Sequence, residues 1–179
     1  MPDAERAIAA EIAFYRAHMH TAVDAPTLAA LRRRCALVVQ EHLGGAIETV
    51  EAALLASLVF TPYADTVPAL VTLRARGIRL VVVSNWDVSL HAVLARTGLT
   101  PLLDGALSSA EVGAAKPDPR IVHRGLELAQ TTDAWLVGDT EADVGAARAA
   151  GIEPVIVARE SSAPNFPSVR RIRSLGELP

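Results

Sequence analysis

The stretch from Ala134 to Gly151 constrains the fold of this chain more than any other. Trp135-Leu136-Val137 is a short run of strand formers. Gly138 allows a sharp turn, and Asp139 follows it at what becomes the carboxyl end of a strand, where open α/β sheets gather their ligands. Asp143 comes four residues later, so a helix starting between the two acids sets both carboxylates on one side of its first turn. Two converging carboxylates repel, and a hard cation such as Mg2+, which takes oxygen ligands, relieves the repulsion. An N-cap aspartate followed by a first-turn acid fits the same spacing. The stretch alone leaves both readings open.

The remaining chain supplies the context. A length of 179 residues suits one domain, or one domain with an insert, and 51% hydrophobic against 21% charged residues supports a packed core rather than disorder. A net charge of -3 without a basic face argues against nucleic acid as a partner. Cys35 is the single cysteine, which excludes an intrachain disulfide and a cysteine-based zinc site; its helical context suits a buried thiol. The first residues lack the basic start and apolar core of a signal peptide, and the longest apolar stretch, Ala52 to Phe60, is too short to span a bilayer. The expectation is a soluble cytoplasmic protein.

The first sixty residues carry helical periodicity. Ile8, Ile12, Tyr15 and Met19 define an amphipathic helix over Ala4 to Met19. Asp24 and Pro26 start a second, running through Leu31, Cys35 and Val39 to Gly44-Gly45, and a third covers Ile47 to about Leu58. Arg32-Arg33-Arg34 reads as a solvated face. His18 and His20 point apart on a helix and form no metal pair, and His42 stands alone.

The texture changes at Pro62. Asp65 is placed to cap a helix from Thr66 to Arg76; Ile78 to Val83 is an apolar run suited to a strand buried on both faces. Ser84-Asn85-Trp86-Asp87 ends it. A helix from Val88 to Arg96, a short strand at Ala106 to Ser108, a rigid Lys116-Pro117-Asp118-Pro119 loop and a helix from Pro119 to Ala129 follow. Beyond the opening stretch come a buried strand at Pro154 to Ala158 and a tail from Ser161, in which Val169, Ile172 and Leu175 predict one more packed segment. Strands alternating with helices imply an α/β fold with a parallel sheet and right-handed crossovers. Residues 1–60 are expected to form a helical lobe and residues 61–179 the α/β core. Trp86 reads as a packing residue rather than a substrate platform.

Three polar groups therefore fall at strand ends: Ser84 with Asn85, Lys116, and Asp139 with Asp143. A hydroxyl with backbone N–H groups suits a phosphate oxygen, a lysine neutralises a phosphoryl group, and two acids suit Mg2+. Val82-Val83-Ser84-Asn85, Ala115-Lys116-Pro117-Asp118-Pro119 and Gly138-Asp139-Thr140-Glu141-Ala142-Asp143 resemble motifs two, three and four of the haloacid dehalogenase (HAD) superfamily. The resemblance covers about Thr61 to Ala158. It implies a Rossmann-like sheet, with the helical first third as a C1-type cap over the site. It implies that Ser84 and Asn85 contact a transferring phosphoryl group, that Lys116 offsets its charge, and that Asp139 and Asp143 hold Mg2+. The implied activity is phosphatase action on small phosphorylated metabolites through an aspartyl-phosphate; a metal-free branch dehalogenates 2-haloacids.

One departure bears on that activity. The family's first motif, Asp-x-Asp at the end of the first core strand, occurs nowhere in the 179 residues, and no apolar β run precedes the first helix. The nucleophile is thus absent from the sequence, the first core strand is expected to be missing, and the chain reads as beginning inside the cap. Turnover is not expected. The alternatives are a non-catalytic phosphate- or metabolite-binding protein, or a subunit that needs a partner, a dimer included. The missing strand also predicts a gap in the sheet, closed by direct pairing of the strands at Ile78–Val83 and Trp135–Val137 or filled by a partner chain.

Overall fold

The computed structural model describes residues 2–159 and 166–178. Helices α1 (Pro2–His18), α2 (Ala25–Leu43) and α3 (Ile47–Ser57) pack around a core of Ala7, Met19, Ala22, Leu31, Cys35, Ala36, Val39 and Leu54. Asp24 starts α2 as expected: its carboxylate accepts from the Thr27 N–H at 2.9 Å while the Asp24 N–H donates to the Thr27 hydroxyl. The buried face of α1 differs from the expected one. Ala7 and Glu11 are buried, whereas Ile8 and Ile12 are 43% and 41% exposed. Small Ala7 admits α2 closely, and Phe14, Tyr15 and His18 fill the space beyond it. The arginine run is also only partly a solvated face. Arg33 ties α2 to α3 through Glu48 and Glu51, and Arg34 lies over the Phe14 ring.

The α/β part contains α4 (Thr66–Ala75), β1 (Val81–Ser84), α5 (Leu90–Arg96), β2 (Gly105–Ser108), α6 (Ser109–Val112), α7 (Arg120–Ala129), β3 (Trp135–Gly138), α8 (Glu141–Ala149), β4 (Glu153–Val157) and β5 (Arg170–Ile172). Every strand pairing is parallel, and the helices flank the strands, as the α/β alternation requires. β5 and the 3-10 turn at Leu175–Glu177 are the expected packed tail; the first part of the Ser- and Pro-rich tail, residues 160–165, lies outside the described residues.

Three further expectations are corrected. β1 begins at Val81, not Ile78, because the preceding residues close α4 and enter the sheet: the Ile78 N–H bonds Leu73 O at 3.1 Å, and the Leu80 N–H is taken by the Asp104 carboxylate at 2.7 Å. Asp65 precedes α4 but caps nothing with its side chain. It instead accepts from Arg159, the Ser174 hydroxyl and the Leu175 N–H. Finally, β1 and β3 do not pair. β1–β2 and β3–β4–β5 are separate sheets among the described residues, and β1 and β3 are each an edge strand.

Backbone parity shows what faces the free edge of β1. Leu80 directs both N–H and C=O toward Asp104, on the β2 side. In a parallel strand alternate residues direct their polar groups to opposite sides, so Val81 and Val83 direct theirs away from β2. The Val83 carbonyl is met there not by a strand but by the ammonium of Lys116, at 2.8 Å.

Candidate active site

The site forms where β1 and β3 end. Ser84 ends β1 and Asn85 opens the loop to α5. Asn85 grips the backbone of Lys116 from both ends of its amide: its Nδ2 donates to Lys116 O at 2.8 Å, and its Oδ1 accepts from Lys116 N at 2.7 Å. That fixes the root of the lysine. The cis Lys116–Pro117 peptide and the proline-bounded loop lead into α7. The Ser84 hydroxyl has no hydrogen-bond partner among the described residues.

Lys116 then reaches across the gap. Its Nζ donates to Val83 O at 2.8 Å and lies 2.6 Å from Asp143 Oδ1, with the two side chains 11% and 6% exposed. The ammonium joins the end of one sheet to the first turn beyond the other. Among the 17 Lys and Arg residues it is the single lysine; its compact charge, unlike a planar guanidinium, suits a narrow slot.

Asp143 has both oxygens engaged. Oδ1 faces Lys116; Oδ2 accepts from the Thr140 hydroxyl at 2.6 Å, the Thr140 N–H at 2.9 Å and the Asp139 N–H at 3.2 Å. Burial alone would raise its pKa, but the Lys116 charge and the Thr140 hydrogen bonds outweigh it and hold the carboxyl below its usual range. Thr140, not Asp139, is the N-cap of α8, in a reciprocal capping box with Asp143. Gly138 makes this possible: a Cβ there would fall inside the Asp143 carboxylate.

Asp139 differs in every respect. It is exposed, and its carboxylate has no partner among the described residues. The two acids therefore share a locus but not a state: one is anchored, the other available. The donor set fits Mg2+ as a cation that keeps several waters and takes one or two carboxylates together with a substrate phosphate. Asp139 is the carboxylate on offer. No group of three or more His, Cys, Asp or Glu side chains that could cage a metal by itself occurs among the described residues.

The structure thus brings Ser84, Asn85, Lys116, Asp139 and Asp143 to one locus. Sequence reasoning missed Thr140 and the Val83 carbonyl. The first had a legible signal, because Thr-x-x-Asp ahead of a helix is a capping-box pattern. The second had none, because a backbone carbonyl becomes a ligand only through the tertiary fold. Trp86 packs as expected, edge-on to Phe60 with centroids 5.1 Å apart, its indole N–H 3.3 Å from the Ser89 hydroxyl. No helix among the described residues is long and apolar enough to cross a membrane.

Comparison with known proteins converges on one family. The chain is 43% identical over 88 residues to the bovine (Bos taurus) haloacid dehalogenase-like hydrolase domain-containing protein 3, covering 48% of this chain and 35% of that protein. It is 38% identical over 120 residues to phosphatase MT3486 of Mycobacterium tuberculosis, covering 65% of this chain and 55% of that protein. The chain therefore spans between about a third and just over half of these curated relatives. A crystal structure of a dehalogenase with an intermediate complex shares the fold, with a TM-score of 0.76 at 20% identity over 96% of this chain and 79% of that one. The model of the haloacid dehalogenase-like hydrolases matches residues 4–151, and with the strand-end geometry above this places the chain in that family.

Proposed function

We propose that this site is the phosphate- and Mg2+-binding half of a phosphatase for small phosphorylated metabolites, and that the 179 residues as written bind without turning over. The observation that carries the reading is the Lys116 ammonium, held between Val83 O and Asp143 at the strand ends that also bring the Ser84 hydroxyl and the Asp139 carboxylate, neither with a hydrogen-bond partner among the described residues. A phosphoryl group seated there meets a fixed positive charge without any prior rearrangement, which is how preorganised sites stabilise developing negative charge. Ser84 donates to one phosphate oxygen. Asn85 acts through Lys116, whose backbone it clamps, and Asp143 acts through Lys116 and the Asp139 N–H. Asp139 offers its carboxylate to the metal, which when bound supplies Lewis-acid charge neutralisation. No residue here occupies the role of nucleophile, since the chain has no Asp-x-Asp.

Calorimetric titration with Mg2+ and inorganic phosphate tests the binding half. Heat is expected in the native chain and none after Asp139→Ala or Lys116→Met. The other half is tested with p-nitrophenyl phosphate and Mg2+: no release is expected, and turnover that disappears in Asp139→Ala overturns it.

A second reading, a subunit completed by a partner chain, is favoured by the two separate sheets whose β1 and β3 edges have no strand partner among the described residues; they are joined by Lys116 at their ends and by apolar packing of Val83, Leu107 and Leu136. Light scattering across a concentration series separates the readings, because a self-complementing dimer gains mass as concentration rises. The metal-free dehalogenase reading has less support, since the Asp139 carboxylate stands unengaged where a cation would be useful.

A further inference from the structure

The loop from Asn85 to Ser89 is gripped from two directions. The α/β part holds its first half. Asn85 is clamped to the Lys116 backbone, the Trp86 N–H donates to the Ser109 hydroxyl at 3.1 Å, and that hydroxyl donates back to Trp86 O at 3.1 Å. The Ala110 N–H also reaches Trp86 O, at 3.2 Å. The helical part holds the second half. The Tyr15 hydroxyl on α1 donates to Asp87 Oδ2 at 2.8 Å, and the Val88 N–H donates to Ala22 O at 3.0 Å. Asp87 closes the loop on itself by accepting from the Ser89 N–H at 2.6 Å through its other oxygen.

Asp87 is an unusual group to find there. It is 4% exposed and makes no ion pair with a described Lys, Arg or His, so two donors carry its whole charge. A buried carboxylate is costly unless its hydrogen bonds are complete, and one of the two comes from the other lobe. The donor is well suited. Burial and the Asp87 charge push the Tyr15 phenol far above its ordinary range, so it keeps its proton and donates at any physiological pH.

We propose that Asp87 is a positioning residue. Through Tyr15, and beside the Val88 N–H bond to Ala22, it couples the placement of α1 and of the turn before α2 to the loop that carries Ser84 and Asn85, and so to the root of Lys116. The lobe then does more than cover the site: its seating sets the geometry of the phosphate-binding groups. The phosphate arm of the test rests on the function proposed above; the exchange arm does not.

The test uses the full chain with Tyr15→Phe and Asp87→Asn, singly and together, and Tyr63→Phe as the control at an exposed tyrosine with no such contact. Amide hydrogen exchange at Val88 and Ser89 is expected to quicken about tenfold in both single variants, with α7 and α8 unchanged, since a contact to a buried charge is lost locally. The double variant is expected to exchange no faster than Asp87→Asn, because both changes remove one shared contact. Inorganic phosphate with Mg2+ is expected to bind about tenfold more weakly to each variant. Unchanged Val88 exchange in Tyr15→Phe, additive effects in the double variant, or unchanged phosphate affinity where the native chain binds overturns the proposal. If Asp87→Asn fails to fold, Tyr15→Phe alone decides it. A native chain that binds no phosphate overturns the functional reading, while the exchange arm still decides the coupling.

Discussion

At the scale of single residues, the Lys116–Asp143 pair governs the site. Both charges are nearly buried, and each satisfies the other. Removing one leaves the other uncompensated in a poorly solvated slot, a loss of typically about 3–5 kcal/mol. Lys116→Met is therefore expected to lower the urea-unfolding free energy by an amount in that range. Lys116→Met combined with Asp143→Asn should lose clearly less than the sum of the two single changes, because the buried charge goes with its partner. Part of this arrangement is legible in the sequence. Strand-end placement marked Lys116, Asp139 and Asp143 as one constellation. It could not assign them different states, because spacing reports which face of a helix a residue occupies and not what meets it there. Asp143 is anchored because Lys116, distant in sequence, enters from the loop before α7; that is a contact no local pattern encodes.

At the scale of elements, helix starts were legible in part. Asp24 opens α2 as its sequence announces, but Asp65 does not cap α4 with its side chain, and the boxes by which Ser108 and Thr140 open α6 and α8 were not read from the sequence. Helix faces were less legible. In α1 the aliphatic Ile8 and Ile12 suggested the buried stripe, yet Ala7 and Glu11 turn inward. Hydrophobicity ranks side chains one at a time, whereas close approach to α2 rewards a small one. Gly125 shows the same principle in α7. A mid-helix glycine is locally unfavourable. Here a Cβ would lie 2.7 Å from Val83 Cγ1, so the glycine is what lets α7 lie against β1. Gly125→Ala is expected to destabilise by about 1–3 kcal/mol despite its better helix propensity. Thermal unfolding measures this, and a stabilised variant would show that the contact is not tight.

At the scale of the whole molecule, Asp65 is the long-range tie. Its carboxylate joins the start of α4 to Arg159 beyond β4 and to Ser174 and Leu175 in the tail. Arg159 in turn lies over the Tyr63 ring at 4.0 Å. Burial opposes ionisation of Asp65, but Arg159, the Leu175 N–H and the Ser174 hydroxyl outweigh it and hold the pKa at about 2, below the ordinary 3.8. A depressed carboxylate pKa means that the folded state binds the proton less readily than the unfolded state. The stabilisation is thus complete above about pH 4 and is lost as pH falls toward 2. Acid titration of the unfolding midpoint is expected to show this decline in the native chain and a shallower one in Asp65→Asn. Equal slopes would assign the acid sensitivity to other carboxylates, such as Asp143.

The sequence by itself determined the α/β alternation, the parallel sense of the strands, the helical first third and the positions of the polar groups at strand ends. These follow from local periodicity, turn residues and the handedness of crossovers, all written within a few residues of where they act. Only the tertiary structure decided that the strands form two sheets rather than one, and that Lys116 spans their ends. It alone separated an anchored Asp143 from an available Asp139, and set the Tyr15 hydroxyl of α1 against Asp87. Those outcomes depend on which distant groups meet in a buried space, where an unmet charge or backbone carbonyl costs enough to dictate the arrangement.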